Sequence, residues 1–598
     1  MNPTDLTPHL ADAPKLVLGT ALLLLPGLAL GDRLWPGRHL SWMMAPLLSA
    51  SLLPLAAIVL EAVAGVPIRA GGTALLALAL AAAFGSRRLR ALLRIDHAPV
   101  VPPVPSRAPV PWRAVAVAVP VLLLVALTHA LPHVPGAAPD IMHTAPELAV
   151  RAGHGLAGDT YPYPVHVDEH THIAYAAAIQ RTGHPVDPYS GEALAGHPAE
   201  DLTLRATVHE RGFQVALAQW GLVTGASLVW TAAWLPAVWA AYLALLVARS
   251  LDGLPGAWAA AAGVAALPTD TLFMGAGFLV PIAFGLAWVV GTVVAVRLRP
   301  GLAGIGLALL LATAAFFIHL VAGAACLVAG IATALAADRP LRHRLLAAAT
   351  CLLPLLWVVP PLRTELAQNT FGEAAHPLGT SIFASFGWLL VALALLGAVA
   401  AHAVPALRPA RGYAWTAAAL ALVMWLAWDT YNTSLALYYR LLHPAALAAI
   451  ACAGLGIGVL GHWLADLARR PWVAPAAAVA FLGLALVVPV QAHLGAEYYR
   501  VHDDTSWAAI TAFAAANPNG TFLSEPWRAM LTNAVTGAEP WTVLRPGAPP
   551  ARGADWTSYL VTEGQDQAWF EARGITWVVG PPPAANHTTL APGVHHLT

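Results

Sequence analysis

The sequence predicts a polytopic α-helical membrane protein that ends in a small α/β domain. Of its 598 residues, 58% are hydrophobic and only 10% are charged, whereas a soluble domain carries about 25% charged residues. Apolar runs long enough to cross a bilayer recur as far as position 492. The formal net charge is zero, so the composition favours neither nucleic-acid binding nor a generally basic membrane surface.

The apolar runs predict about fourteen membrane spans. A proline-rich linker at 98–112 follows the first three spans. The spans are expected near 15–31, 39–65, 71–84, 113–131, 228–248, 255–270, 277–296, 301–318, 319–336, 345–361, 380–403, 412–430, 436–461 and 472–492.

Charged connections predict the orientation. Short cytoplasmic loops collect arginine and lysine, and with these spans every arginine-rich connection falls on one side of the membrane. The long loop 132–210, the loop 362–379 and the tail then fall on the extracytoplasmic side. The arginine-rich connections are 87–94, Arg297 with Arg299, 339–344, 408–411 and 469–470.

The tail 495–598 changes character. Helical patterns at Trp507–Ala516, Pro526–Asn533 and Gln565–Ala572 alternate with strand patterns at 521–524, Tyr559–Thr562 and Ile575–Gly580. Such alternation indicates a small α/β domain with its own core. It contains no glycine-rich phosphate loop, and either a docking or acceptor-binding role or a passive structural cap would fit.

Two adjacent acids, Asp168 and Glu169, stand out in the long loop. Other ionisable or polar groups also map to the outer ends of spans or to outer loops, and this one-sided clustering suits an enzyme that works at the outer leaflet. An ordinary solvated loop is the alternative for the acids. The other groups are Asp270, His319, Arg363, Glu365, Tyr438, Tyr439, Arg440 and His443.

The same stretch raises the question of a metal. Asp168, His170 and His172 alternate, so an extended segment would place all three on one face. A divalent ion (Mg, Mn or Zn) could bind there. A helix would disperse the three side chains, and ordinary loop histidines are the alternative.

Three segments together resemble the GT-C superfamily of membrane glycosyltransferases. Val167–Tyr175 resembles the Asp-Glu motif of protein O-mannosyltransferases and lipid A aminoarabinose transferases. Tyr438–Pro444 is similar to the Arg-Tyr/Pro start of a late span in those enzymes, and His319 is similar to a histidine that several of them carry. The resemblance covers 110–598. The first three spans depart from it, because the acidic loop of that superfamily usually follows the first span. We therefore expect 1–97 to be an added N-terminal membrane unit and 113–494 to be the GT-C-like membrane core.

The resemblance implies transfer of a sugar from a polyprenyl-phosphate donor to a protein, lipid or glycan acceptor outside the cytoplasm. Asp168 would be the general base, with Glu169 orienting the acceptor or assisting a cation. Arg440 would clamp the lipid phosphate, although a basic residue at a span end can also simply snorkel to the interface. The remaining expected substrate-binding residues are His319, Tyr439, His443, Arg205, Arg211 and Asp270.

Two other classes of protein remain open at this point. One is a transporter or flippase for a lipid-linked glycan, which would more often place its site at the membrane midplane between repeats and broken helices. The other is a non-catalytic membrane assembly protein whose tail binds a partner. Convergence of Asp168, His319 and Arg440 in space would favour the enzyme.

Overall fold

The computed structural model describes thirteen parts of the chain. All structural statements below concern these parts, which are 7–35, 39–85, 112–134, 167–186, 211–269, 275–298, 302–356, 378–429, 435–495, 502, 504–542, 559 and 566–598. Most of the linker 98–112 and of the long loop 132–210 therefore lies outside the description.

The first part of the chain, up to residue 495, is helical where it is described, as the apolar runs predict. Its helices are α1 Thr7–Leu34, α2 His39–Ala64, α3 Ala70–Gly85, α4 Trp112–Ala130, α5 Val167–Thr182, α6 Arg211–Thr224, α7 Leu228–Ser250, α8 Ala257–Gly263, α9 Pro281–Leu298, α10 Leu302–Ile318, α11 Leu320–Ala336, α12 Leu341–Cys351, α13 Leu378–Ala403, α14 Arg411–Asp429, α15 Leu435–Ala468 and α16 Val473–Gly495.

Eight of the described helices are long and apolar enough to cross a membrane: α1, α2, α4, α7, α9, α13, α15 and α16. The prediction of a helical, multi-pass membrane protein is confirmed. A count of about fourteen spans stays a prediction, because several helices at expected positions are shorter than a full crossing. The helix α6 was not predicted.

The expected span 255–270 is broken. Helix α8 ends at Gly263, a 3-10 turn covers Val264–Ala266, and Leu267 is extended with ψ 130°. The residue before a proline is pushed out of the helical region, and Pro268 follows. The irregular backbone is buried, so its carbonyls need partners inside the protein.

Two histidines from neighbouring helices supply those partners. His129 on α4 brings Nε2 to 3.0 Å from the Val264 carbonyl oxygen, and His493 on α16 brings Nε2 to 3.1 Å from that of Ala265. The Nδ1 atom of His129 lies 3.2 Å from Oγ1 of Thr269. The break in the helix is thus held by side chains that come from distant parts of the sequence.

The N-terminal helices α1–α3 share one hydrophobic core with the rest of the membrane region. The indole of Trp288 on α9 donates to Oγ of Ser51 on α2 at 2.9 Å. The hydroxyl of Tyr242 on α7 donates to the carbonyl oxygen of Met43 at 2.8 Å. A domain boundary near residue 97 stays a prediction, but the three helices pack within the bundle.

The tail forms a five-stranded sheet flanked by helices. The strands are ordered β2-β1-β3-β5-β4, with β1 parallel to β2 and β3, and with β5 antiparallel to β3 and β4. The elements are α17 Asp504–Ala515, β1 Thr521–Ser524, α18 Pro526–Thr536, β2 Glu539–Pro540, α19 Gln567–Glu571, β3 Ile575–Val579, β4 His587–Ala591 and β5 Val594–Leu597.

The prediction of a small α/β region is confirmed, including β1, β3 and the three helices. The final hairpin β4–β5 was not predicted. The strand expected at Tyr559–Thr562 lies outside the described residues apart from Tyr559. Two apolar clusters hold the sheet and its helices together, while Met530 and Leu531 of α18 belong to the core of the membrane region.

Candidate active site

The two adjacent acids open helix α5, where negative charge is favoured by the helix dipole. Glu169 is fully buried, and its Oε1 accepts a hydrogen bond from the backbone N–H of Leu279 at 2.6 Å. Leu279 lies in the buried irregular stretch just before α9. Glu169 thereby connects α5 to the start of α9, while Asp168 is partly exposed.

The metal hypothesis assumed an extended segment, whereas Asp168, His170 and His172 lie in the helix α5, and a metal at these residues stays a prediction. In a helix, residues four apart share a side, so Asp168 and His172 point the same way and His170 points elsewhere. His172 packs edge-on against Phe213, with ring centroids 5.3 Å apart. Among the described residues no group of three His, Cys, Asp or Glu side chains could hold a metal ion.

His170 instead contacts His502, just before α17. Both rings are fully buried, and their Nε2 atoms are 2.9 Å apart. One nitrogen must donate and the other accept, so at least one Nε2 carries no proton. Burial, His170 and the charge of Arg528 hold the pKa of His502 well below its usual value. The pair therefore joins α5 to the tail, and the lowered pKa of His502 favours the neutral form of that ring.

The opposite end of α5 is capped by the N-terminal helices. The guanidinium of Arg69 donates from Nη1 to the carbonyl oxygen of Arg181 and from Nη2 to that of Thr182, both at 2.8 Å. Cationic side chains stabilise a helix C-terminus in this way. Next to it, Gly183 has φ +84° and the backbone N–H of Ile68 donates to its carbonyl oxygen at 2.6 Å.

Helix α18 of the tail lies along α5. Arg181 donates from Nη1 to the carbonyl oxygen of Ala534 at 2.8 Å, near the end of α18. Near the other end of α18, the positive charge of Arg528 helps to lower the pKa of His502, whose ring contacts His170. The helix that carries the acids is therefore held by the N-terminal helices, the membrane core and the tail.

Helix α6 brings further polar groups to the same region. Gly212 lies against Phe317, since a Cβ atom added there would be 2.8 Å from the Phe317 carbonyl oxygen. His319 follows two residues later as the extended residue between α10 and α11, and it is buried. The start of α6, with Arg211, thus lies beside the connection between α10 and α11 at His319, which we call the His319 junction. Phe213 of α6 packs against His172 of α5.

Two polar side chains on the first turn of α6 are buried and carry polar atoms that have no hydrogen-bond partner. Arg211 is 7% exposed and Gln214 is fully buried. Within the described parts of the chain, Nε and Nη2 of Arg211 and both amide atoms of Gln214 have no hydrogen-bond partner. Buried polar groups are almost always paired, so these atoms are candidates for binding a ligand.

Sequence reasoning named Arg211 but missed Gln214. The available signal was the helical spacing of Phe213, Leu217 and Trp220, which would have extended the search into α6.

The late-span residues lie at the start of α15. His443 is buried and lies close enough to His129 for their charges to interact, which places it beside the broken helix. Arg440 is partly buried, and no described contact joins it to Asp168 or His319. Tyr439 belongs to α15, but its side chain lies outside the description, as do Arg205, Asp270, Arg363 and Glu365.

Comparison with known proteins adds only distant structural similarity. No protein-family model and no curated protein matches the sequence. Three solved structures of an oligosaccharyltransferase from Archaeoglobus fulgidus are similar.

One, named as archaeal AglB in complex with an inhibitory peptide and a dolichol-phosphate, is 12% identical, with 78% of this chain and 69% of that chain covered and a TM-score of 0.46. Another, tethered to an acceptor peptide with the NVT sequon, is 13% identical over 77% and 68% of the chains, with a TM-score of 0.43. The third, a complex with Zn and sulfate, is 14% identical over 76% and 67%, with a TM-score of 0.43. Similarity at this level does not establish a shared activity.

Proposed function

We propose that this protein is a membrane glycosyltransferase of the GT-C type, which moves a sugar from a polyprenyl-phosphate donor to an acceptor on the extracytoplasmic side. The observation that carries the proposal is the pair at the start of α5. One carboxylate, Glu169, is fixed by a backbone N–H, and the next one, Asp168, stays accessible. A catalytic base needs both a fixed position and access to substrate.

The proposed reaction uses Asp168 as the general base. Its carboxylate removes the proton from an acceptor hydroxyl or amine as the acceptor oxygen or nitrogen forms a bond to the anomeric carbon. The bond from that carbon to the phosphate oxygen breaks, and its electron pair leaves with the polyprenyl phosphate. Glu169 is a positioning residue, because it holds the first turn of α5 against Leu279.

The donor would be held by α6 and the His319 junction. The planar guanidinium of Arg211 suits a phosphate that gains charge as the sugar leaves. The carboxamide of Gln214 has an NH2 group that donates hydrogen bonds and an oxygen that accepts them. This combination suits two neighbouring sugar hydroxyls. Both side chains are already desolvated, and Nε and Nη2 of Arg211 and both amide atoms of Gln214 have no hydrogen-bond partner in the described structure, although the charge of Glu61 also acts on Arg211. Arg440 and His443 on α15 would complete the site.

A transporter remains the less favoured alternative. Transport sites usually lie at the bilayer midplane, whereas Asp168, Glu169 and His319 lie at helix starts or at the junction between two helices. The broken helix α8 is a feature typical of a transporter, as is the non-helical Gly387 inside α13, but the Val264 and Ala265 carbonyls just after α8 are bound by His129 and His493. We therefore favour the enzyme.

The test is Asp168→Asn in the full-length protein. The substitution keeps the size of the side chain but removes the proton acceptor, so transfer from a panel of radiolabelled polyprenyl-phosphate sugars should fall by roughly two to four orders of magnitude. Asp466→Asn is the matched control, because Asp466 is exposed near the far end of α15. Undiminished transfer by a folded Asp168→Asn protein would remove the proposed base.

A further inference from the structure

A second polar feature lies at the other end of the membrane bundle. The ends of α9, α10, α11 and α12 line a small cavity that opens to solvent, and its enclosed part has room for about one water molecule or one phosphate oxygen. Its apolar walls include Val296, Ile305 and Ala334, and its polar wall is formed by Arg339, His343 and Arg344. None of its described lining residues is acidic, so the cavity is cationic.

This cavity and the candidate active site lie near opposite ends of α9, and the topology predicted from the charged connections places them on opposite faces of the membrane. Helix α9 starts at Pro281, next to the Leu279 N–H that binds Glu169, and Val296 is fifteen residues further along. At 1.5 Å per residue the two points are about 22 Å apart along the helix, which is most of a hydrocarbon core of about 30 Å. The arginine-rich connection 339–344 is also the one that the charge rule assigns to the cytoplasmic side.

The basic side chains of the cavity have hydrogen-bond donors that are not used within the described structure. Arg344 donates from Nη1 to the carbonyl oxygen of Leu335 at 3.1 Å, at the end of α11, while its Nε has no partner among the described residues. No side-chain hydrogen bond or ion pair of Arg339 is found within the described structure. The neighbouring acid, Asp338, is exposed to solvent. A phosphate oxygen in the cavity would meet two guanidinium groups.

The exposed leucines of helix α12 indicate that such a phosphate would belong to a lipid. Its leucines Leu341, Leu345 and Leu346 are 61%, 53% and 61% exposed, and they stand beside the basic residues on the same short helix. Leucines exposed at the end of a membrane bundle suit contact with acyl chains. Basic pockets between helices on the cytoplasmic side suit anionic lipid headgroups.

We propose that this cavity binds the phosphate of an anionic phospholipid in the leaflet opposite the active site. Arg339 and Arg344 contact the phosphate oxygens, His343 closes the polar wall, and the leucines of α12 contact the acyl chains. The bound lipid joins the ends of four helices, including α9, whose other end holds Glu169.

The experiment measures the thermal unfolding of the full-length protein in detergent. Short-chain phosphatidylglycerol, phosphatidylcholine and inorganic phosphate are titrated in parallel. We expect a saturable rise in Tm with phosphatidylglycerol alone. In Arg339→Gln the apparent affinity should fall at least about fivefold, the effect expected for one basic residue near an anionic headgroup.

Arg470→Gln is the matched control, because Arg470 is an exposed arginine in another connection of the same predicted side, and its affinity should equal that of the wild type. Arg344→Lys tests the second guanidinium without removing the charge that caps α11. Equal stabilisation by inorganic phosphate, equal stabilisation by phosphatidylcholine, or wild-type affinity in both Arg339→Gln and Arg344→Lys would each overturn the lipid site.

Discussion

At the scale of single residues, the two adjacent acids have different surroundings, and the proposed roles follow from that difference. Glu169 is buried and accepts a backbone hydrogen bond, whereas Asp168 is partly exposed. A motif in a sequence cannot separate the two, since the distinction depends on Leu279, which lies more than a hundred positions away. The pair itself could be predicted, because two acids among aromatic residues and histidines are conspicuous in a chain with so few charges.

Substitutions at Glu169 should therefore act first on stability. Glu169→Gln keeps an oxygen that can accept the Leu279 N–H, so we expect a small loss of stability and a modest loss of transfer. Glu169→Ala leaves that buried N–H without a partner and should cost about 1–3 kcal/mol. Thermal unfolding of both variants, together with transfer rates, checks this. If Glu169→Gln abolished transfer in a stable protein, the residue would take part in the chemistry.

A substitution at Gln214 should separate an effect on donor binding from an effect on protein stability. Replacing a buried polar side chain that has no partner by an apolar one of similar shape can be neutral or stabilising. Gln214→Leu should therefore leave Tm unchanged or raise it, while the apparent KM for the donor rises. Gln219→Leu is the control, because Gln219 donates to the carbonyl oxygen of Leu53 and its loss should lower Tm without a selective effect on KM. A normal KM in Gln214→Leu would remove Gln214 from the donor site.

At the scale of elements, sequence reasoning succeeded where one physical signal dominates. Long apolar runs marked the membrane helices, and β1 and β3 were predicted from short apolar runs between turns. It failed where distant parts decide the outcome. The expected span 255–270 is broken at Val264–Leu267, just before Pro268, where His129 and His493 bind two carbonyl oxygens. The residues expected to share one face of an extended segment lie on a helix.

The contact between α5 and the tail should depend on pH. The pKa of His502 is lowered in the folded protein, so below about pH 6.5 the unfolded chain binds a proton that the folded chain does not. Stability should thus fall as the pH drops below about 6.5 and should level off above it. Tm measured from pH 5 to 8 should show a shallower slope for His502→Gln, which keeps a donor for His170 but does not titrate.

His462→Gln is the control for that series, because His462 is an exposed side chain on α15. Its Tm should follow the wild-type pH profile. An unchanged slope in His502→Gln would show that other groups control the acid sensitivity of the protein.

At the scale of the whole molecule, α5 is the place where three parts of the chain meet. Arg69 caps its C-terminus, Glu169 binds the start of α9, and His170 and Arg181 contact the tail. The sequence indicated the parts but not their meeting point, because these hydrogen bonds join residues between about 110 and 350 positions apart. A movement of the tail would therefore be transmitted through α5 to Asp168.

The last prediction concerns the tail expressed alone. Residues 495–598 have two apolar clusters of their own, so they should fold and melt cooperatively. However, Met530 and Leu531 of α18 are buried against the membrane region in the full chain, and separation would expose them. We expect the isolated tail to self-associate, and Met530→Lys should make it monomeric while lowering Tm of the full-length protein, because the charge would then be buried.

Sedimentation of the isolated tail and unfolding of the full chain measure the two effects. Ala512→Lys is the control, because Ala512 is only partly buried and packs against a cluster within the tail, so it should not change the association state. A monomeric wild-type tail would contradict the assignment of α18 as the docking face. Glycosyl transfer by the isolated tail, which lacks Asp168, Arg211 and Gln214, would show that the active site lies elsewhere.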